Sequence, residues 1–293
     1  MGYFALFLAV LGNAFKGYSS KSVSSHIHSP QQNMYINVIR GVLCIFLSFL
    51  LILIGGQGLS ALGAAPTAFL MFAAAGLFTA VFQYSWISAM DKSAYMLVSV
   101  CGNASFILPL IGGITLLEEH LTVKKALAVL IICVAVYFMT AYSKKINKKL
   151  TVGAILTLAA IFLTQGCMQF LQKYYMSTFI GASGTVYTFY TFVFATLFSA
   201  LFLVFSKRDR NESKLNTHAY LLVLLMSAGM FISTFFSSVA AKHVDAVVLY
   251  PLNNVGSLTA GTLMSTLIFK EKMKKESAIG IALVAVALLL YLL

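Results

Sequence analysis

The sequence predicts an all-α integral membrane protein of ten transmembrane helices, arranged as two inverted five-helix repeats. Three observations carry that expectation. Sixty per cent of the 293 residues are hydrophobic and only 10% are charged, against roughly 25% charged in soluble domains, so there is too little polar surface for a chain of this size dissolved in water. The apolar residues fall into ten runs of about 20, the length that crosses a hydrocarbon core as a helix. Segments 152 residues apart also resemble one another, as Ala94 and Ala246 do.

The runs place the spans at 2–20, 33–55, 67–89, 94–117, 123–142, 151–172, 185–206, 218–240, 246–269 and 276–293. A helix satisfies its own backbone hydrogen bonds, which lipid cannot do for it; barrel strands would instead alternate over about ten residues. The connections are short and hold the turn residues and charges: Ser29-Pro30, Gly55-Gly56-Gln57-Gly58, Lys144 to Lys149, and Lys207 to Lys214. The first run begins at Gly2 with neither a basic leader nor a small-residue cleavage pattern, and is expected to be a membrane helix and not a signal peptide. Cys44, Cys101, Cys133 and Cys167 stand singly in apolar runs, without disulfide or zinc spacing, and are expected to pack as small buried hydrophobes. No metal or cofactor is expected. The net charge of +12 would suit a nucleic acid, but the basic residues sit in clusters between apolar runs, as membrane-surface loops carry them. No nucleic-acid partner is expected.

Fifteen lysines and arginines belong to the odd-numbered connections, against Lys124, Lys125, Lys173 and Lys242 in the even ones. Positive residues stay in the cytoplasm, so the odd connections are expected inside and both termini outside. The offset of 152 residues also pairs Leu97 with Leu249, Glu119 with Glu271, Asn13 with Gln165 and Lys21 with Lys173. Five spans is an odd number, so a second copy enters the membrane from the opposite face. The expected units are 1–146 and 147–293, related as the inverted repeats of secondary transporters are.

Two helix–loop–helix segments carry a family likeness. They are Ser93-Ala94-x-x-Leu97 with Leu117-Glu118-Glu119-x-Leu121, and Asp245-Ala246-x-x-Leu249 with Phe269-Lys270-Glu271-x-Met273. With Arg40-Gly41 in the second span, the chain resembles the drug/metabolite transporter superfamily in its EamA-like ten-helix branch. The likeness covers essentially the whole chain in architecture and implies transport of a metabolite without fixing which. Two features depart from the pattern. Phe192 stands where the first half has Arg40, and relatives are commonly drawn with both termini inside.

Polar groups within a bilayer are costly and mark function by default. All eight acids (Asp91, Glu118, Glu119, Asp209, Glu212, Asp245, Glu271, Glu276) fall in connections or at span ends. The mid-membrane carboxylate with which small multidrug exporters of the superfamily exchange protons for organic cations therefore has no counterpart. Within the spans lie Lys16, with Asn13 three residues earlier, and Arg40, with Asn37 three residues earlier; residues so spaced share a helix face. An arginine stays charged, so Arg40 must face water, an anion or the lipid interface. Gln165, Gln169 and Lys173 form one stripe at i, i+4 and i+8, expected to face protein or a cavity. Gln83, Tyr84 and Trp86 close the third span and Tyr187 and Tyr190 open the seventh. The lone Trp reads best as an interface anchor. Asn103, Asn253 and Asn254 accompany Pro109 and Pro251 in the fourth and ninth spans. A proline frees a carbonyl there, so Pro109 and Pro251 are candidate hinges and the asparagines candidate cargo ligands.

These residues predict a secondary active transporter that carries a small polar metabolite, an amino acid or organic anion, by alternating access. The resemblance implies that spans one, three, four, six, eight and nine line the cavity, and spans five and ten, apolar almost throughout, are expected to be peripheral. The competing readings are a flippase for a lipid-linked intermediate and a membrane scaffold. No HExxH, GxSxG or Walker motif occurs, so enzyme activity is not expected. The implied partners are the small-molecule substrate, the lipid bilayer and a coupling proton or sodium ion, with a homodimer left open. The compact connections suggest a bacterial plasma membrane.

Overall fold

The computed structural model describes residues 1–24, 26–27, 29–55, 62–92, 95–140, 152–205, 217–268 and 275–292. Outside the described residues lie Gly56-Gln57-Gly58, the Ser93-Ala94 pair, the Lys144–Lys149 and Lys207–Lys214 clusters, and the Phe269–Met273 motif with Lys270, Glu271, Lys272 and Lys274.

The described chain is helical in eleven segments: α1 (Gly2–Ser24), α2 (Pro30–Ile54), α3 (Pro66–Lys92), α4 (Tyr95–Ala104), α5 (Ile107–Leu116), α6 (Val123–Thr140), α7 (Val152–Thr178), α8 (Gly184–Phe205), α9 (Thr217–Ala241), α10 (Ala246–Ile268) and α11 (Lys275–Leu292). Local chemistry sets several ends. Ser29 caps α2, its hydroxyl accepting from the Gln32 N–H at 3.1 Å, and Pro30 follows at the first helical position, where its missing N–H is not needed.

The fourth span is the one that departs from the expected single helix. It is two helices, α4 and α5, separated at Ser105–Phe106. The Ser105 carbonyl accepts from the Leu108 N–H at 3.1 Å and the Ser105 hydroxyl turns back to the Gly102 carbonyl at 2.6 Å. Neither expected hinge stands at a break. Pro109 lies in the first turn of α5, and Pro251 lies inside a continuous α10.

By length and composition alone, α2, α3, α7, α8 and α9 suffice to cross a membrane. In α1 and α10 polar residues such as Asn13, Lys16, Asn253 and Asn254 dilute the apolar run. Leu70, Leu130, Leu156 and Leu221 point outward, whereas Arg40, Gln83, Gln169, Lys173 and Asn253 are buried. That distribution is the reverse of a water-soluble protein's and makes this a multi-pass membrane protein. The cysteines are free; Cys44 is buried, but Cys133 is exposed on the outer face of α6, which corrects the expectation that all four are buried.

Helices pack mainly across the middle of the chain: α1 on α9, α2 on α8, α3 on α7 and α8, and α6 on α11. Bilayers supply little hydrophobic drive between helices, so small residues that admit close backbone approach decide where they cross. At the α1–α9 crossing a side chain on Gly12 would lie 2.7 Å from the Ser233 nitrogen, and one on Gly229 would lie 2.8 Å from the Lys16 nitrogen. The crossing therefore sets the depth of Lys16. Gly12→Ala is expected to destabilise the protein by about 1–3 kcal/mol through this overpacking. Gly17→Ala, which meets nothing within 4 Å, is expected to be neutral or to stabilise by at most about 1 kcal/mol. Melting temperatures of the two variants in detergent measure the difference.

Candidate functional site

A polar cavity of about 70 Å³ lies between the two halves of the chain. It is lined by Asn13 and Lys16 of α1, Arg40 of α2, and Thr79, Phe82 and Gln83 of α3. Gln165, Met168, Gln169 and Gln172 of α7, Tyr187, Thr191 and Phe192 of α8, four residues of α9 (Met230, Ser233, Thr234, Ser237) and Asn253 of α10 complete it. A groove of about 320 Å³ opens at the surface beside the α7–α8 turn, with Lys242 and His243, but it holds none of the candidate residues.

Of the residues singled out from the sequence, Asn13, Lys16, Arg40, Gln83, Gln165, Gln169, Tyr187 and Asn253 meet in this cavity. Asn37, Tyr84, Asn103 and Asn254 stand behind it and act through relays. The Tyr84 carbonyl accepts from Asn33 Nδ2 at 3.0 Å, Asn33 Oδ1 accepts from Asn37 Nδ2 at 3.1 Å, and Asn37 Oδ1 accepts from Arg40 Nη1 at 3.0 Å. A carbonyl can only accept, so each amide in the chain has one allowed sense, and the last oxygen holds the guanidinium. Arg40 Nη2 contacts Met230 Sδ at 3.0 Å, and Nε is buried without a partner. Lys16 Nζ stands 5.9 Å from the Phe82 ring centroid, and no described acceptor takes its hydrogens. Among the lining residues there is no Asp or Glu.

The polar stripe on α7 divides. Gln165 and Gln169 enter the cavity, whereas Lys173 leaves it for Glu119 at the end where the even connections lie. There Lys173 Nζ donates to the carbonyls of Ala241 at 3.0 Å and Val244 at 2.8 Å, and lies 3.3 Å from Glu119 Oε1. The Glu119 carboxylate accepts from the N–H groups of Ala246 at 2.8 Å and Val247 at 3.2 Å. Those are the orphan donors at the positive end of α10. Glu118, at φ 53°, turns the chain ahead of Glu119. Gly113 is required beneath it, since an added side chain would lie 2.8 Å from Glu119 Oε2. This clasp was not legible as a pair, because its members lie 54 positions apart at the ends of different spans.

Also missed were the hydroxyls of α9 and Gln172. Gln172 Nε2 donates to Ser238 Oγ at 2.8 Å, and Gln172 Oε1 accepts from Ser237 at 3.0 Å. Ser233 and Ser237, four residues apart in an apolar run, were the available signal. An aromatic cluster adjoins the cavity at Tyr187. Tyr187 pairs with Tyr175 at 5.6 Å, and Phe72 stacks on Tyr190 at 5.2 Å. Trp86 is no isolated interface anchor: it packs on Phe82 and would be met by a side chain at Gly102.

Removing one member of a buried ion pair strands the other. Glu119→Leu, which leaves the Lys173 ammonium uncompensated, is therefore expected to destabilise by about 3–5 kcal/mol. Lys173→Met should be milder, because the α10 N–H groups still serve the carboxylate. Combining both should recover part of the loss; additive unfolding free energies across the three variants would show that the pair is not coupled.

No curated protein matches the chain. A solved structure described only as a crystal structure of a protein superposes on 99% of this chain and 96% of its own with a TM-score of 0.78 at 14% identity, a likeness of fold. Residues 166–293 match the EamA-like transporter family. The matched segment runs from the middle of α7 to the end of the chain, and the family is one of the drug/metabolite transporter superfamily, whose members are membrane transporters.

Proposed function

We propose that the chain is a secondary active transporter of a small polar solute bearing a negative group, an amino acid or organic anion. It works by alternating access between two inverted repeats, 1–146 and 147–293. The observation that carries the reading is a pair of cations, buried Arg40 and half-buried Lys16, in a cavity lined by no acid among the described residues. An uncompensated buried charge is expensive, and a carboxylate or phosphate matches the guanidinium fork of Arg40. The cargo supplies the missing counter-ion.

Two features support the repeat. Packing is symmetric under exchange of halves: α1 on α9 corresponds to α7 on α3, α2 on α9 to α8 on α3, and α1 on α10 to α7 on α4 and α5. Positions 152 apart also share the cavity, namely Asn13 with Gln165, Lys16 with Met168, Arg40 with Phe192, and Phe82 with Thr234. A local two-fold axis through the cavity would produce both. Each cation faces an apolar mate, so the positive field comes from the first half alone.

The Glu119–Lys173 clasp and the 2.6 Å Lys125–Asp245 pair tie the two halves together at one end, which serves as the closed gate. By the charge bias this end is extracytoplasmic and both termini are outside, in a bacterial plasma membrane. Lys16 and Lys173, which lie within helices, drop from the count without altering its sign. A proton or sodium gradient would drive uphill flux.

Counterflow in proteoliposomes against amino acids, organic anions and organic cations tests the proposal. Arg40→Gln is expected to reduce flux of the anion-bearing solutes about 10- to 100-fold, the worth of a hydrogen bond to a charged group. Unchanged anion flux in the variant, or flux of cations alone, would remove the anionic cargo.

A further inference from the structure

A second hydrogen-bond relay begins at the break in the fourth span. Helix α4 ends at Ala104, and the carbonyls of a helix's last turn have no partner within it. The Asn103 carbonyl accepts from Asn254 Nδ2 at 3.0 Å. Because a carbonyl cannot donate, the Asn254 amide must present its nitrogen there and its oxygen on the other side. That oxygen accepts from Gln169 Nε2 at 2.9 Å. The sense of Gln169 is thereby settled as well. Its Oε1 is the atom left over, buried and without a donor, on a side chain that is 6% exposed and lines the cavity. Four residues earlier on the same face, Gln165 Oε1 is also buried and without a partner.

Buried polar atoms left unpaired are few in native proteins, and each calls for an account. This cavity holds two kinds. The Lys16 ammonium and Arg40 Nε bring donors without acceptors, while α7 brings acceptors without donors. A single-poled anion would answer the first and leave the second stranded.

The geometry points to a cargo with two poles: an acidic group for Lys16 and Arg40, and an N–H donor, in its simplest form an amino group, for the amide oxygen of Gln169. Gln169 is then the residue that tells an amino-bearing acid from its des-amino analogue. Its acceptor sense is imposed from outside the cavity by Asn254 and the broken helix. A site built around a substrate N–H rejects the analogue lacking it far more strongly than an apolar pocket rejects a missing methylene. The inference rests on the anionic reading of Lys16 and Arg40, and adds to it.

The test is ligand-induced stabilisation of the purified protein in detergent, with three matched pairs: L-alanine and propionate, L-aspartate and succinate, L-phenylalanine and 3-phenylpropionate, with ethylammonium as the cation alone. In at least one pair the amino member is expected to half-saturate at a concentration at least about tenfold lower than its partner. Gln169→Met should bring that ratio to within about threefold. Asn254→Leu keeps the Gln169 side chain but frees its amide to turn, and should shrink the ratio in the same direction. Should Gln169→Met fail to fold, Asn254→Leu decides. A role in packing alone would lower the melting temperature of the unliganded variants and leave the ratio unchanged, which overturns the assignment. Equal binding within every pair overturns it too but leaves the anionic cargo standing. Binding of ethylammonium alone removes both readings, and silence from all three pairs overturns this one.

Discussion

In a hydrocarbon surround a polar atom has only the protein itself to bond to, and the interior of this molecule is organised around that scarcity. Two chains of buried amides, on α2 and across α7 and α10, are each oriented by a backbone carbonyl that cannot donate. The Tyr84 carbonyl sets Asn33, which sets Asn37, which holds Arg40. The Asn103 carbonyl sets Asn254, which sets Gln169. Two relays thus deliver atoms of fixed polarity to one cavity: a guanidinium from one, an amide oxygen from the other. Gln172, by contrast, is satisfied on both sides by α9 hydroxyls and the Tyr250 hydroxyl, and serves to hold α7 against α9.

Two lysines within the helices, buried Lys173 and half-buried Lys16, are treated oppositely. Lys173 spends its three donors on Ala241, Val244 and Glu119, and is a structural cation. Lys16, held by the glycine crossing of α1 and α9, meets only the edge of polar company and an aromatic ring. Desolvation is the same kind of penalty in both places, and only at the clasp does the fold itself offset it. That difference separates a cation that the fold satisfies from one that it leaves facing the cavity.

The break at Ser105–Phe106 joins these themes. It frees the carbonyl that orients Asn254, and α7 lies directly against it: a side chain on Gly166 would come within 2.8 Å of the Ser105 oxygen. Movement of α4 against α5 would be felt first by the amide that faces the cavity. Irregular backbone at membrane depth is tolerated where protein buries it, and here α7 and α10 do so.

The sequence alone determined the helical membrane class of the fold, nearly all the span boundaries and eight residues of the cavity, because apolar run length and the rarity of polar groups in lipid are local signals that need no knowledge of neighbours. Tertiary structure decided the rest. The break came at Ser105 and not at Pro109, because a proline in a first turn asks for no hydrogen bond there, whereas the end of α4 found partners on α10. Lys173 left its stripe for Glu119, and the serines of α9 turned inward, because only packing brings residues 54 or 65 positions apart within hydrogen-bond reach. Periodicity along a helix names the face that is polar; which oxygen on that face remains unpaired depends on what the neighbouring helices have already bonded.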